Sequence, residues 1–122
     1  MSHPVLERRR SEQTALIRAA REWAERLAQR LDVVAAVVFG SVARGDFNKW
    51  SDIDVLVVAR GLPEGARERL DLLMEDAPPG LQPVGWTPDE LSARRRRGDP
   101  IARECDGAGV VVFGGLHGAG EP

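Results

Sequence analysis

Two aspartates separated by one residue, Asp52 and Asp54, open the second apolar run of this chain. Side chains two positions apart in a β-strand lie on the same face, so the two carboxylates are expected side by side. Adjacent carboxylates repel each other and raise the pKa of one of them unless a cation lies between them. Mg²⁺ prefers oxygen ligands, typically one or two carboxylates together with substrate phosphates. The pair therefore predicts a magnesium site where a strand begins.

A glycine–serine corner, Gly40 and Ser41, follows the first apolar run and is a candidate site for those phosphates. Gly40 lets the backbone turn closely, and Ser41 is a favourable N-cap for a short helical turn over residues 42–44. Gly45 can end that turn. Backbone N–H groups at a helix start bind anions, and the serine hydroxyl adds one more donor.

Two basic residues, Arg44 and Lys49, lie between the corner and the aspartates, and both are candidates for binding phosphate. Taken together, segments 40–45 and 51–54 resemble the signature of the minimal nucleotidyltransferases of the DNA polymerase β-like superfamily. The corner, the Ala-Arg-Gly, the spacing and the Ser-Asp-x-Asp occur jointly, which makes the pattern fairly specific. Either half alone also occurs in ordinary turns and polar strand entries.

The resemblance implies a Mg²⁺-dependent enzyme that transfers a nucleoside monophosphate, AMP being expected, from a nucleoside triphosphate, ATP being expected, to an acceptor hydroxyl. Gly40 and Ser41 would hold the triphosphate. Asp52 and Asp54 would hold two Mg²⁺ ions and form the catalytic pair.

One departure from the family pattern concerns a third carboxylate, which in these enzymes usually lies on a later strand. The matching strand is predicted at residues 81–86 and contains no acid. Gln82 is the nearest polar residue, but an amide carries no charge and cannot act as a base. Nucleotide and metal binding are therefore expected, whereas the missing acid argues against fast catalysis.

Two other functions remain as alternatives. Stand-alone members of the family often act as the antitoxin half of a toxin–antitoxin pair, beside a small helical partner of the HEPN class, and such a protein could bind nucleotide with little catalysis. The run of four arginines at 94–97 could instead contact RNA, although a solvated helix face explains it as well. Nucleic-acid binding is ranked last because the net charge is −2 and no aromatic residue interleaves with the arginines.

The composition limits the remaining classes. A length of 122 residues with 43% apolar residues fits one small domain with a real core. A single cysteine, Cys105, excludes an internal disulfide and suits a reducing compartment, so a cytoplasmic protein is expected. The sequence has no leader of signal-peptide form and no apolar run long enough to span a bilayer, so no membrane association is expected.

Apolar spacing and turn residues predict the order of helices and strands. The predicted helices cover residues 12–31, 63–77, 88–97 and 100–105, and the predicted strands cover 33–39, 52–58, 81–86 and 110–113. Pro83 favours an edge position for the third strand. The 33–39 run is apolar throughout, which is typical of a strand covered on both sides.

This order predicts an α/β two-layer sandwich, with a mixed sheet of about four strands and helices packed on one side. The resemblance implies the same polymerase β-like fold. The predicted domain spans residues 11–113, between a flexible N-terminus at 1–10 and a disordered glycine-rich tail at 114–122.

Overall fold

The computed structural model describes residues 4–48 and 51–116. Within these residues the chain alternates helices and strands. In chain order they are α1 (Pro4–Leu27), β1 (Asp32–Phe39), α2 (Gly40–Arg44), β2 (Ile53–Arg60), α3 (Ala66–Met74), β3 (Leu81–Trp86), α4 (Pro88–Arg96), α5 (Pro100–Gly107) and β4 (Val110–Gly114).

The four strands form one mixed sheet in the order β3-β2-β1-β4. The central strand β1 is antiparallel to both β2 and β4, whereas β2 and β3 are parallel. The predicted mixed sheet of four strands is confirmed. β3 lies at an edge, where the missing N–H of Pro83 interrupts no central ladder, as its sequence predicted.

Helices cover both faces of the sheet, which differs from the expected two-layer arrangement with helices on one side. Trp23 of α1 and Leu73 of α3 are buried in one apolar cluster, and Leu91 of α4 and Cys105 of α5 are buried in a second cluster. The physical reason is that β1 and β2 carry apolar side chains on both faces of the sheet. Each face must therefore be buried against helices. The continuous apolar run at 33–39 had indicated this.

The tryptophan of α1 and the single cysteine belong to these cores. Trp23 has no exposed surface, so it anchors the core and is not a platform for a nucleotide base. Cys105 is buried, and burial raises the pKa of its thiol to about 12, so it remains protonated.

Helix boundaries differ from the prediction mainly in α1. The helix begins at Pro4 rather than at residue 12, and it ends at Leu27 rather than at residue 31. Its first turns are polar and largely exposed, so apolar spacing could not indicate them. The division into 1–10, 11–113 and 114–122 stays a prediction, although residues 4–10 are helical and Leu116 is buried.

The helix caps near the second cluster follow the sequence closely. Thr87 and Glu90 form a capping box at the start of α4, with the Thr87 N–H donating to Glu90 Oε1 at 2.7 Å. Asp99 caps α5 by accepting hydrogen bonds from the N–H groups of Ile101 and Ala102. No helix in the described ranges has the length and apolar character needed to cross a bilayer.

Candidate functional site

The corner between β1 and β2 is built around Gly40. This residue has a φ of 77°, a region that favours glycine, and it is the first residue of α2. The N-cap is Phe39, with no capping side chain, so the prediction that Ser41 is the N-cap is wrong. Gly45 ends the helix at a φ of 87°, as predicted, and its N–H donates to the Ser41 carbonyl at 2.8 Å.

Asp54 lies directly against this corner. It pairs with Phe39 across the antiparallel β1–β2 ladder, and that ladder brings its side chain to Gly40. A Cβ added at Gly40 would lie only 2.5 Å from Asp54 Oδ2. Gly40, a candidate for phosphate binding, and Asp54, a candidate for metal binding, are therefore in van der Waals proximity. Only glycine at position 40 leaves room for the carboxylate.

Negatively charged side chains outnumber positively charged ones around Asp54, and this affects its pKa. Burial raises the pKa of its carboxyl, and the negative charges of Asp52 and Glu104 raise it further, while Arg44 partly offsets them. Asp54 is half-buried and Asp52 is exposed, one residue before β2 begins. A cation between the two aspartates would relieve this repulsion.

Glu104 of α5 is a site residue that sequence reasoning missed. Its Oε1 accepts a hydrogen bond from the Gly40 N–H at 2.9 Å. The same oxygen forms an ion pair with Nη1 of Arg44. No local motif marks Glu104, since it lies in a short helix far along the chain, and only the packing of α5 on β1 brings it here.

Arg44 joins the acids on both sides of the corner. Besides Glu104 it pairs with Asp46, whose Oδ2 lies 3.2 Å from Arg44 Nε. The hydrogen bond to Asp46 and the charges of both acids raise the pKa of Arg44, so the guanidinium stays charged. The arginine expected to bind phosphate is thus already engaged by two carboxylates.

Two side chains of α1 fasten the segment between the corner and the aspartates, and we call Arg9 and Gln13 the α1 clamp. Arg9 donates to the carbonyls of Gly45 and Phe47, and its guanidinium stacks 4.8 Å from the centre of the Phe47 ring. Gln13 donates to the carbonyl of Val42 at 2.8 Å, which satisfies an end group of α2. The predicted flexible segment therefore contributes a residue that positions the site.

Ser41 and Gln82 are the remaining candidate residues that the structure describes. Ser41 is half-buried in α2, next to Gly40. Lys49 lies outside the described residues. Gln82 is exposed and pairs with Asp54 across the parallel β2–β3 ladder, so the neighbouring strand presents an amide beside the aspartate.

The carboxylates of Asp52 and Asp54 suit a hard cation whose other ligands are waters or substrate oxygens. Within residues 4–48 and 51–116, no group of three histidine, cysteine, aspartate or glutamate residues could hold a metal ion. Asp52 and Asp54 supply two carboxylates. An incomplete set of protein ligands of this kind fits Mg²⁺, which keeps several waters and is usually bound by one or two carboxylates together with substrate phosphates.

Two arginines of the run at 94–97 are used within the fold. Arg94 stacks 4.9 Å from the Trp86 ring and pairs with Asp99 at 3.0 Å. Arg95 pairs with Asp106 at 2.7 Å. These contacts give the run a structural role and leave Arg96 and Arg97 exposed.

Comparisons with known proteins bear on the family of this chain. The family model described as "Nucleotidyltransferase domain" matches residues 20–85, more than half of the chain. A curated relative from Methanocaldococcus jannaschii, named "Putative protein adenylyltransferase", is 39% identical over 44 residues. That match covers 36% of this chain and 30% of the relative, so it spans less than a third of the relative's length.

A solved structure gives a likeness at the level of the fold. It is the crystal structure of a "putative nucleotidyltransferase" from Sulfolobus solfataricus, with a TM-score of 0.60 and 24% sequence identity. The similarity covers 73% of this chain and 78% of that one. At this identity the likeness shows the fold alone, a mixed four-stranded sheet with helices.

Proposed function

This chain belongs to the nucleotidyltransferase domain family, and we propose that it transfers a nucleoside monophosphate from a nucleoside triphosphate to an acceptor hydroxyl, assisted by two Mg²⁺ ions. The observation that carries the proposal is the contact between Gly40 and Asp54. A triphosphate bound at the corner would lie next to the carboxylates of Asp52 and Asp54, which would hold the metal ions.

The roles of the residues follow from their chemistry. Asp52 and Asp54 would hold the metal ions, which when bound neutralise phosphate charge and align an in-line displacement. The backbone at Gly40 and Ser41 would donate hydrogen bonds to the phosphates. Arg44 would add positive charge, and Lys49, which lies outside the described residues, is proposed for the same task.

In the reaction, the acceptor hydroxyl oxygen bonds to the α-phosphorus as the bond from that phosphorus to the bridging oxygen breaks. The products are the phosphodiester of the acceptor, pyrophosphate and the proton lost from the hydroxyl. The corner and Arg44 hold the phosphates in line while this exchange occurs, so most of the contribution of the chain is positioning.

We further propose ATP as the donor and a protein hydroxyl as the acceptor. The Methanocaldococcus jannaschii relative supports this choice, since its name refers to protein adenylylation. The proposed compartment is the cytoplasm, because the single cysteine suits a reducing environment.

One observation favours a second candidate function. Gln82 stands beside Asp54 on the neighbouring strand, where the family resemblance leads us to expect a third acid. The chain would then bind nucleotide with slow transfer or none and would act as the antitoxin-type partner of a small helical HEPN-class protein. Co-purification of such a protein from the native host would support this role, and its absence would count against it.

Calorimetric titration with MgATP tests the proposed site directly. Wild-type protein should bind MgATP, and binding should be lost both in Asp54→Ala and when EDTA replaces Mg²⁺. The control is Asp71→Ala, which removes an exposed carboxylate from α3. Equal binding by Asp54→Ala and wild type would refute the metal site. Transfer of label from α-labelled ATP to protein in a host lysate would then separate the enzyme from the non-catalytic partner.

A further inference from the structure

A single oxygen of Glu104 occupies the donors that the proposed function assigns to phosphate. The Gly40 N–H reaches Oε1 at 2.9 Å, and Nη1 of Arg44 pairs with the same atom. A carboxylate oxygen between a backbone N–H and a guanidinium has the charge and the partners of a phosphate oxygen. The corner therefore already holds an anion that belongs to the chain itself.

The carboxylate of Glu104 belongs to a helix that is capped at its start and packed against the core. Glu104 belongs to α5, whose start is capped by Asp99, with Asp99 Oδ1 accepting hydrogen bonds from Ile101 N at 2.8 Å and Ala102 N at 3.2 Å. The adjacent Cys105 is buried in the second apolar cluster. The Glu104 side chain itself is 31% exposed, so it can leave the corner without unpacking the helix.

We propose that Glu104 is a specificity-determining residue, which makes the corner reject lone phosphates and accept a polyphosphate that brings divalent metal. This inference rests on the proposed nucleotidyltransferase function.

An isolated phosphate and a metal-bound triphosphate differ in the interactions that they gain on binding at the corner. An isolated phosphate that replaces Glu104 exchanges one anion for another at the same donors, and it enters a region that Asp52 and Asp54 already make negative. A metal-bound triphosphate gains the bonds of its metal ions to those aspartates in addition. Only the second ligand gains enough to displace Glu104.

The test uses metal-free pyrophosphate in EDTA as the probe, which involves neither metal nor transfer. Pyrophosphate binding to wild type and to Glu104→Gln is compared by calorimetry. The glutamine keeps the shape of the side chain and can still accept from the Gly40 N–H, but it removes the competing charge. We expect pyrophosphate to bind Glu104→Gln about tenfold more tightly, equivalent to about 1.4 kcal/mol. The ratio of MgATP affinity to pyrophosphate affinity should fall accordingly.

The matched control is Asp106→Asn, which removes one negative charge from the same helix away from the corner, where Asp106 pairs with Arg95. It should leave pyrophosphate affinity near that of wild type. An equal gain in the control would overturn the proposal, because a general charge effect would then explain it. Unchanged or weaker pyrophosphate binding by Glu104→Gln would also overturn it, since Glu104 would then serve to orient Arg44.

The proposal can also be tested on the wild-type chain, through the amide resonance of Gly40. The amide resonance of Gly40 in ¹H–¹⁵N spectra should shift when MgATP is added and remain in place with pyrophosphate alone. A shift of similar size with pyrophosphate alone would contradict the proposal. Failure of the proposed function is distinguishable, because it appears as MgATP binding that does not depend on Asp54, whatever the pyrophosphate result.

Discussion

Two networks of charged side chains lie at opposite ends of the neighbouring strands β2 and β3. At the far end from the corner, Arg69 of α3 donates to the carbonyls of Pro63 at 2.8 Å and Gly85 at 3.0 Å, and it pairs with Glu90 at 2.7 Å. Burial alone would raise the pKa of Glu90, but the hydrogen bond from the Thr87 N–H and the charge of Arg69 lower it overall. This network is balanced in charge and joins three elements.

The network at the corner is unbalanced. One guanidinium, Arg44, faces Asp46 and Glu104, while Asp52 and Asp54 add two further carboxylates. The pKa of Asp54 is raised for the reasons of burial and like charge given above, which is the opposite of the direction at Glu90.

The contrast separates two uses of the same residue types. Charges that are fully paired in the native state favour folding, whereas surplus carboxylates oppose it and are retained where a ligand supplies the missing positive charge. Substitutions in the Arg69–Glu90 network should therefore change stability with little effect on nucleotide binding. Substitutions at the corner should impair nucleotide binding without lowering stability.

The largest effect is expected from Asp54→Asn. Loss of one metal-binding carboxylate should lower the rate of nucleotide transfer about 1,000-fold, equivalent to roughly 4 kcal/mol. Because the folded pKa of Asp54 is raised, its ionised form opposes folding once the pH exceeds its ordinary titration range. The metal-free variant should thus be more stable than wild type at pH 7 and equal to it in acid, where Asp54 is protonated.

Thermal unfolding in EDTA from pH 3 to pH 8 measures this crossover, with Asp71→Asn as the control for loss of an exposed carboxylate. A variant less stable than wild type at pH 7 would show that Asp54 is not under electrostatic strain.

Arg69→Ala should have the largest effect on stability. The Arg69 side chain is only 13% exposed, and its removal leaves two carbonyls and Glu90 without their partner. We expect the free energy of unfolding to fall by about 2 kcal/mol, with MgATP affinity unchanged. Denaturant titration checks the first value and calorimetry the second. Arg67→Ala, an exposed arginine of the same helix, is the control, and an equal loss there would remove the case for the network.

Glu90→Gln should have a smaller, pH-dependent effect. The amide can still complete the capping box but loses the charge opposite Arg69, and since Glu90 is partly exposed, the loss should be about 0.5 kcal/mol. The folded pKa of Glu90 is lowered, so its contribution is present above the unfolded pKa and disappears as the pH falls through the folded one. Unfolding curves of the two proteins should therefore converge below roughly pH 4. A difference that persists in acid would assign the effect to the cap alone.

A small effect, on binding rather than on stability, is expected from the α1 clamp. Arg9→Ala releases the carbonyls of Gly45 and Phe47 and the stacking on the Phe47 ring, so the segment leading to Asp52 should become less well positioned. MgATP affinity should fall about threefold, or roughly 0.7 kcal/mol. The exposed neighbour Arg10→Ala is the matched control in the same calorimetric titration. Identical affinities of the two variants would show that the clamp does not act on the site.

The sequence predicted those parts of the molecule that depend on local chemistry. Gly45 has its predicted role, and the Thr87–Glu90 capping box and the Asp99 cap are likewise specified by neighbouring residues. Ser41 does not have its predicted role, because the helix begins two residues earlier than predicted, at Gly40, and Phe39 is its N-cap.

What the sequence could not provide depends on packing between distant elements. Glu104 reaches the corner from α5, and Arg9 and Gln13 reach it from α1, across separations that no spacing rule covers. The first turns of α1 carry no apolar periodicity because their contacts are hydrogen bonds to backbone carbonyls, made by polar side chains. Prediction from apolar pattern alone therefore underestimates polar positioning elements of this kind.

The order of strands in the sheet has a consequence for how the chain folds. The central strand β1 obtains its second neighbour, β4, only from the last element of the described chain, as in the pairing of Ala35 with Gly114. Non-local pairings of this kind slow folding, and until β4 docks, β1 presents an unpaired apolar edge. Substitutions that weaken β4, such as loss of the buried Val112, should therefore promote aggregation during refolding more than their cost in native stability suggests.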